Sequence, residues 1–172
     1  MPIQETERLI IREFEPGDAD FILRLLNEPS FIENIADRGI RTREQAEAYL
    51  REGPMASYRA HGHGLWCVQL KACGTPIGMC GLIKRDKFKD VDLGYAFLPE
   101  HAGQGYATEA GAASLAYGRD TLGLPRVIAI TKPGNARSAA VLTRLGFASL
   151  GLEVTPLGPD PEAMFRLEFI AD

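Results

Sequence analysis

The run from Leu93 to Ala116 changes character twice, and those changes limit what the rest of the chain can build. Leu93–Leu98 is apolar and aromatic, which suits a buried strand. Pro99 ends it, because proline lacks a ladder N–H and restricts Leu98. Gly103, Gln104, Gly105, Tyr106, Ala107 and Thr108 then alternate small and larger residues, and an alanine-rich helical run begins at about Ala107. Small residues let backbone N–H groups approach a ligand without interference from Cβ atoms. The first amides of a helix have no internal partner, and the dipole adds positive charge there. Strand, glycine-rich loop and helix start together predict a phosphate cradle.

Two familiar phosphate motifs do not fit. A P-loop needs Gly-Lys-Ser or Gly-Lys-Thr, and the chain has neither. A dinucleotide fingerprint needs a third glycine where Thr108 stands, and an acidic residue after the next strand, which ends Ile130-Thr131-Lys132. A phosphate ligand of another kind remains.

The 172 residues suit one domain with a full core, so residues 1–172 are read as a single unit. Apolar residues make up 45% and charged residues 24%, as in ordinary globular proteins. No apolar run reaches the roughly 20 residues that span a bilayer, so no membrane association is expected. A net charge of −4 without a basic stripe argues against nucleic acid and is compatible with cationic amine substrates. Cys67, Cys73 and Cys80 are odd in number and form no C-x-x-C pair; they read as reduced thiols of a cytoplasmic protein. Cys67 and Cys80 flank a turn almost symmetrically, which allows them to face each other across a hairpin as packing. His61-Gly-His-Gly64 falls one ligand short of a metal site and reads as a flexible loop, so no metal is expected.

Strands are expected over Arg8–Phe14, Leu65–Lys71, Pro76–Ile83, Val91–Leu98, Val127–Thr131, Leu150–Val154 and Met164–Ile170. Helices are expected after Asp18, as its cap; from the Thr42–Gln45 capping box to about Arg59, interrupted at Gly53-Pro54; from Ala107 to Leu122; and over Asn135–Leu145 with Asn135 as N-cap. Ser30–Arg41 reads as a loop or short helix. This makes about seven strands and about four helices: α/β, with a mixed sheet.

The chain resembles the GNAT N-acetyltransferase superfamily, closest to its ribosomal-protein-alanine acetyltransferase-like branch. Four segments carry the likeness: Glu7–Arg12, Asp92–Glu100, Gly103–Ala110, and Asn135–Ser138 with Leu145–Phe147. The resemblance implies acetyl-CoA as donor, with its pyrophosphate on the backbone of Gly103 to Thr108. Phe97 and Leu98 would pair with the pantetheine arm, where a mostly antiparallel sheet splays between its fourth and fifth strands. Asn135 and Ser138 would approach from the late helix. The motif's usual leading Gln or Arg is replaced by Ala102.

Amide formation needs a deprotonated amine, and amine pKa values lie near about 10, so a base or water chain must act. Asp92, Glu100 and Glu109 are the candidates, and Asp92 leads. The Leu98 N–H is the expected oxyanion donor. Many family members carry a tyrosine acid where this chain has Leu142, and Ser138, one turn earlier, is the substitute. The implied acceptor is a protein N-terminus or a small-molecule amine, contacted from the segment holding Phe31, Glu33 and Asn34. The protein is expected to be a monomer or homodimer. The alternative is an acyl-CoA sensor without turnover.

Overall fold

The computed structural model describes residues 2–169. One eight-stranded sheet runs through it in the order β1-β2-β3-β4-β5-β6-β8-β7. The strands are β1 (Pro2–Glu5), β2 (Leu9–Arg12), β3 (Leu65–Leu70), β4 (Pro76–Ile83), β5 (Asp92–Phe97), β6 (Arg126–Thr131), β7 (Ala148–Val154) and β8 (Pro161–Glu168). All neighbours are antiparallel except β5 and β6, which are parallel and share only the register pair Asp92–Ile128. Beyond that pair the two strands separate, which is the expected splay.

Six α-helices accompany the sheet: α1 (Ala19–Leu26), α2 (Pro29–Asn34), α3 (Arg43–Glu52), α4 (Pro54–His61), α5 (Tyr106–Asp120) and α6 (Ala136–Arg144). The count exceeds the expected four because two prolines act as starts rather than breaks. Pro29 and Pro54 each occupy the first turn of a helix, where a missing N–H costs nothing. The extra strand is β1, whose proline-bearing polar sequence gives no alternation to read. The predicted end of the last strand, Ile170, lies outside the described residues. No described helix is long and apolar enough to cross a membrane.

Alternation along the central strands divides the core. Leu9, Ile11, Trp66, Val68, Cys80, Leu82 and Leu93 face α5 and α6. Phe14, Cys67, Met79, Ala96 and Leu98 face the α1–α4 layer. The expectation that Cys67 and Cys80 face one another is therefore wrong. The β3–β4 register sets Trp66 opposite Cys80 and Cys67 opposite Met79, so the two thiols lie on opposite faces. Burial pushes both up to about 12, which leaves them inert.

Asp18 does not cap α1 through its side chain. Its carboxylate instead takes both guanidinium arms of Arg12, each at 2.9 Å, and the Glu15 N–H at 2.8 Å. Arg12 also donates to Gln69 at 2.8 Å, so one bidentate pair fastens β2, β3 and the entry to α1.

Strands β3, β4 and β5 approach too closely for side chains at some positions. A Cβ on Gly81 would lie 2.1 Å from the Gly64 carbonyl oxygen. Gly17 meets nothing within 4 Å. Gly81→Ala is therefore expected to lose about 3 kcal/mol in urea unfolding, because β3 backbone cannot yield without breaking its ladder. Gly17→Ala should unfold with the wild-type midpoint or slightly above it.

Candidate active site

The end of β5 delivers the chain to the cradle. Leu98 is extended, Pro99–His101 forms a 3-10 turn, and α5 begins at Tyr106. Gly103 and Gly105 take φ of +75° and +83°, a region that other residues enter at a cost of about 1–2 kcal/mol. Gly105 is the N-cap of α5 and offers no side-chain cap. Among the described residues, no amide from Gly103 to Thr108 donates to a protein acceptor. Gly103, Gln104 and Gly105 are exposed, and Tyr106, Ala107 and Thr108 are half-buried. Six amides are thus left for an outside acceptor at the positive end of a 15-residue helix. A diphosphate fits that donor set.

Beside the cradle runs the unpaired edge of β5. The Val91 carbonyl accepts from Ile128 of β6 at 2.9 Å, so Val91 points its main chain toward β6. With a period of two, Leu93, Tyr95 and Phe97 do the same; Leu93 completes the single rung around Ile128, and beyond it Tyr95 and Phe97 meet no partner strand. Leu98 points the other way. Its N–H donates to the Ile77 carbonyl of β4 at 2.9 Å, and its side chain is buried. The expected oxyanion donor at Leu98 is therefore incorrect, since that amide completes the β4–β5 ladder. The open-edge donors are Phe97 and Tyr95.

Tyr95 also supplies a hydroxyl that sequence reasoning missed. It shares a face with Leu93 and Phe97, toward α6, and its Oη lies 2.6 Å from Ser138 Oγ. It also donates to the Ser138 carbonyl at 3.2 Å. Burial pushes the Tyr95 phenol up to about 12, with the Ser138 bond opposing, so it stays protonated. Alternation from Leu93 was the available signal for its direction. Asn135 caps α6, its Oδ1 accepting the Ser138 N–H at 3.2 Å, and this fixes where Ser138 stands. Strand β5 and helix α6 thus bring two hydroxyls together across the splay.

The carboxylates are all engaged. Asp92 is 3% exposed and accepts from Arg85 Nε at 2.5 Å. Burial raises its proton affinity and Arg85 opposes that. The pair sits where β5 and β6 meet, with Asp92 buried and Arg85 half-buried, so a free base at Asp92 is not what the structure presents. Glu100 is exposed and bonded to Arg24 at 2.5 Å. Glu109 accepts from Thr6 at 2.6 Å and from the Arg8 side chain at 2.8 Å. Of the expected acceptor contacts, Phe31 is packed into the α1–α4 core and offers no ring to a ligand. Glu33 and Asn34 are exposed, and the Glu33 carbonyl accepts from Lys132 at 2.7 Å. That bond and the Arg24–Glu100 pair tie the α1–α2 segment to both lips of the splay.

Residues 8–148 match the Acetyltransferase (GNAT) domain. The chain belongs to the GNAT acetyltransferase family. Among relatives of this GNAT protein is the uncharacterized N-acetyltransferase YoaA of Bacillus subtilis. It is 28% identical over 153 residues, covering 88% of this chain and 85% of its own. An acetyltransferase structure from Agrobacterium tumefaciens has a TM-score of 0.81 at 26% identity, covering 96% of this chain and 93% of that one. A ribosomal L7/L12 alpha-N-protein acetyltransferase, solved with coenzyme A, has a TM-score of 0.85 over the full length of both chains. At 14% identity that likeness is one of fold.

His61 and His63 of the acetyltransferase sit apart from this cleft. Gly62 ends α4 at φ +77°, and His63 is buried with Nδ1 2.7 Å from the Leu82 carbonyl. Among the described residues, no three potential metal ligands cluster. Burial holds the His63 pKa below its ordinary 6.5, with His61 and Lys84 adding repulsion and the Leu82 carbonyl opposing. The folded state keeps this ring neutral while the unfolded chain protonates it, so stability present above pH 6.5 is lost on acidification. Melting temperature should fall more steeply below pH 6.5 for wild type than for His63→Gln.

Proposed function

We propose that this acetyltransferase moves the acetyl group of acetyl-CoA to a primary amine by direct attack in a ternary complex. The observation that carries the reading is the run of six partnerless amides, Gly103 to Thr108, beside an unpaired strand edge. Acetyl-CoA supplies an activated thioester on a long arm that ends in a diphosphate. The amides of Gly103, Gln104, Gly105, Tyr106, Ala107 and Thr108 hold the diphosphate. The main chain of Phe97 and Tyr95 pairs with the arm, while Leu98 only packs beneath it. Asn135 fixes the start of α6 and Ser138 faces the arm from that helix.

As negative charge develops on the carbonyl oxygen, the Phe97 or Tyr95 N–H is aligned to receive it, and no reorganisation is needed. The departing thiolate needs modest help, since thiol pKa values are about 8.5. Tyr95 Oη, kept protonated by burial and held by Ser138, donates a hydrogen bond to the leaving sulfur, which takes its proton from solvent. The amine loses its proton to solvent, and Asp92 closes the vertex through Arg85. The acceptor class is a primary amine, on a protein N-terminus or a small molecule, and it enters past the exposed Glu33 and Asn34. The reaction calls on no nucleic acid and no metal, and the chain acts as a monomer or homodimer.

A thiol-release assay over N-terminal peptides, polyamines and amino acids tests the proposal. At least one amine should be acetylated. Acetyl-CoA binding without turnover on any of them would establish the sensor reading instead. With an acceptor in hand, Tyr95→Phe and Ser138→Ala should each lower kcat about 10- to 100-fold, with little change in the acetyl-CoA dissociation constant.

A further inference from the structure

Arg8 reaches the cradle from the turn before β2, almost a hundred residues earlier in the chain. Its Nη1 donates to the main-chain carbonyl of Gln104 at 2.9 Å. Its Nε donates to Glu109 Oε1 at 2.8 Å, and its own N–H donates to Glu109 Oε2 at 3.1 Å. Thr6 holds that same oxygen at 2.6 Å. The guanidinium lies 4.3 Å above the centre of the Tyr106 ring. Its Nη2 is 3.4 Å from where a Cβ on Gly105 would stand. The planar fork is thus fixed on one edge by a carboxylate, on one face by an aromatic ring, and it grips a single peptide group.

That peptide group joins Gln104 to Gly105. In a trans peptide the C=O and the following N–H point in opposite directions, and the described chain contains no cis bond. Fixing the Gln104 carbonyl therefore fixes the direction of the Gly105 N–H. The peptide is flanked on one side by Gly105 and one residue back by Gly103, both at positive φ. Glycine crosses between conformations at little cost, so without a tether this peptide can rotate and turn its carbonyl toward an incoming anion. A carbonyl oxygen there repels phosphate, whereas the N–H attracts it.

We infer that Arg8 is a positioning residue for the cofactor's diphosphate: it locks the Gln104–Gly105 peptide so that the Gly105 amide faces the cradle. The inference rests on the diphosphate reading above.

The test compares wild type with Arg8→Gln, Arg8→Lys and Glu109→Gln. Calorimetry with CoA reads affinity, and turnover with acetyl-pantetheine, which lacks the diphosphate, reads the rest of the site. Arg8→Gln should weaken CoA about tenfold, the loss of one fixed donor, and leave acetyl-pantetheine turnover unchanged. Arg8→Lys should weaken CoA as much, because an ammonium has no fork to span Glu109 and Gln104. Glu109→Gln should weaken it less. In the ligand-free protein the Gly105 amide ¹⁵N resonance should broaden or split in the Arg8 variants, which a merely stabilising role would not cause. Wild-type CoA affinity in Arg8→Gln, or full affinity in Arg8→Lys, overturns the inference. So does an equal loss with acetyl-pantetheine. If Arg8→Gln does not fold, the same comparison is made on Arg8→Lys and Glu109→Gln. Failure of wild type itself to bind CoA would instead overturn the diphosphate reading.

Discussion

Hydrogen-bond bookkeeping between two strands governs this molecule. β5 and β6 run parallel and share one register pair, Asp92–Ile128, after which each leaves an edge of main-chain groups without a strand partner. Unpaired edges inside a sheet are costly unless something covers them. The surrounding elements keep the gap from collapsing. The half-buried Arg85–Asp92 pair pins the vertex, and Lys132 and Arg24 hold α2 and α1 to the two lips. Tyr95 and Ser138 span it on the other side. The cradle follows from the same geometry, since the strand that loses its neighbour is the one that feeds the glycine loop.

Much of this was legible before any coordinates. The end of β5, the glycine turns and the start of α5 could be read from Pro99, Gly103, Gly105 and the alanine-rich run, because proline and glycine act locally and their constraints survive any tertiary context. Asn135 as a cap was readable for the same reason. The central strands declared themselves through apolar alternation. β1 did not, because Pro2–Glu5 has no such pattern and is held by pairing with β2 and by Ile3 packing on the core.

The errors share a cause. Leu98 was assigned an open amide, but which edge a strand amide faces depends on register, and register is set by a distant partner in β4, Ile77. The same parity decides that Tyr95 and Phe97 face the gap. Asp92 looked available because its guanidinium partner, Arg85, lies in the connection between two expected strands, where the sequence shows no periodicity to direct its side chain. Phe31 looked like a ligand contact because a short helix between two others shows no periodicity of its own. In each case the residue type was right and the missing quantity was a long-range neighbour.

The splay also bears on how the sheet holds together as a whole. On one side of the vertex lie five strands, on the other three, and one ladder rung joins them. Such halves approach separate cooperative units, able to open independently on the timescale of amide exchange. A ligand whose backbone-like arm fills the missing rungs would fuse them into one. Binding energy would then appear as unfolding cooperativity, and such a ligand would serve for a time as a ninth strand of the fold.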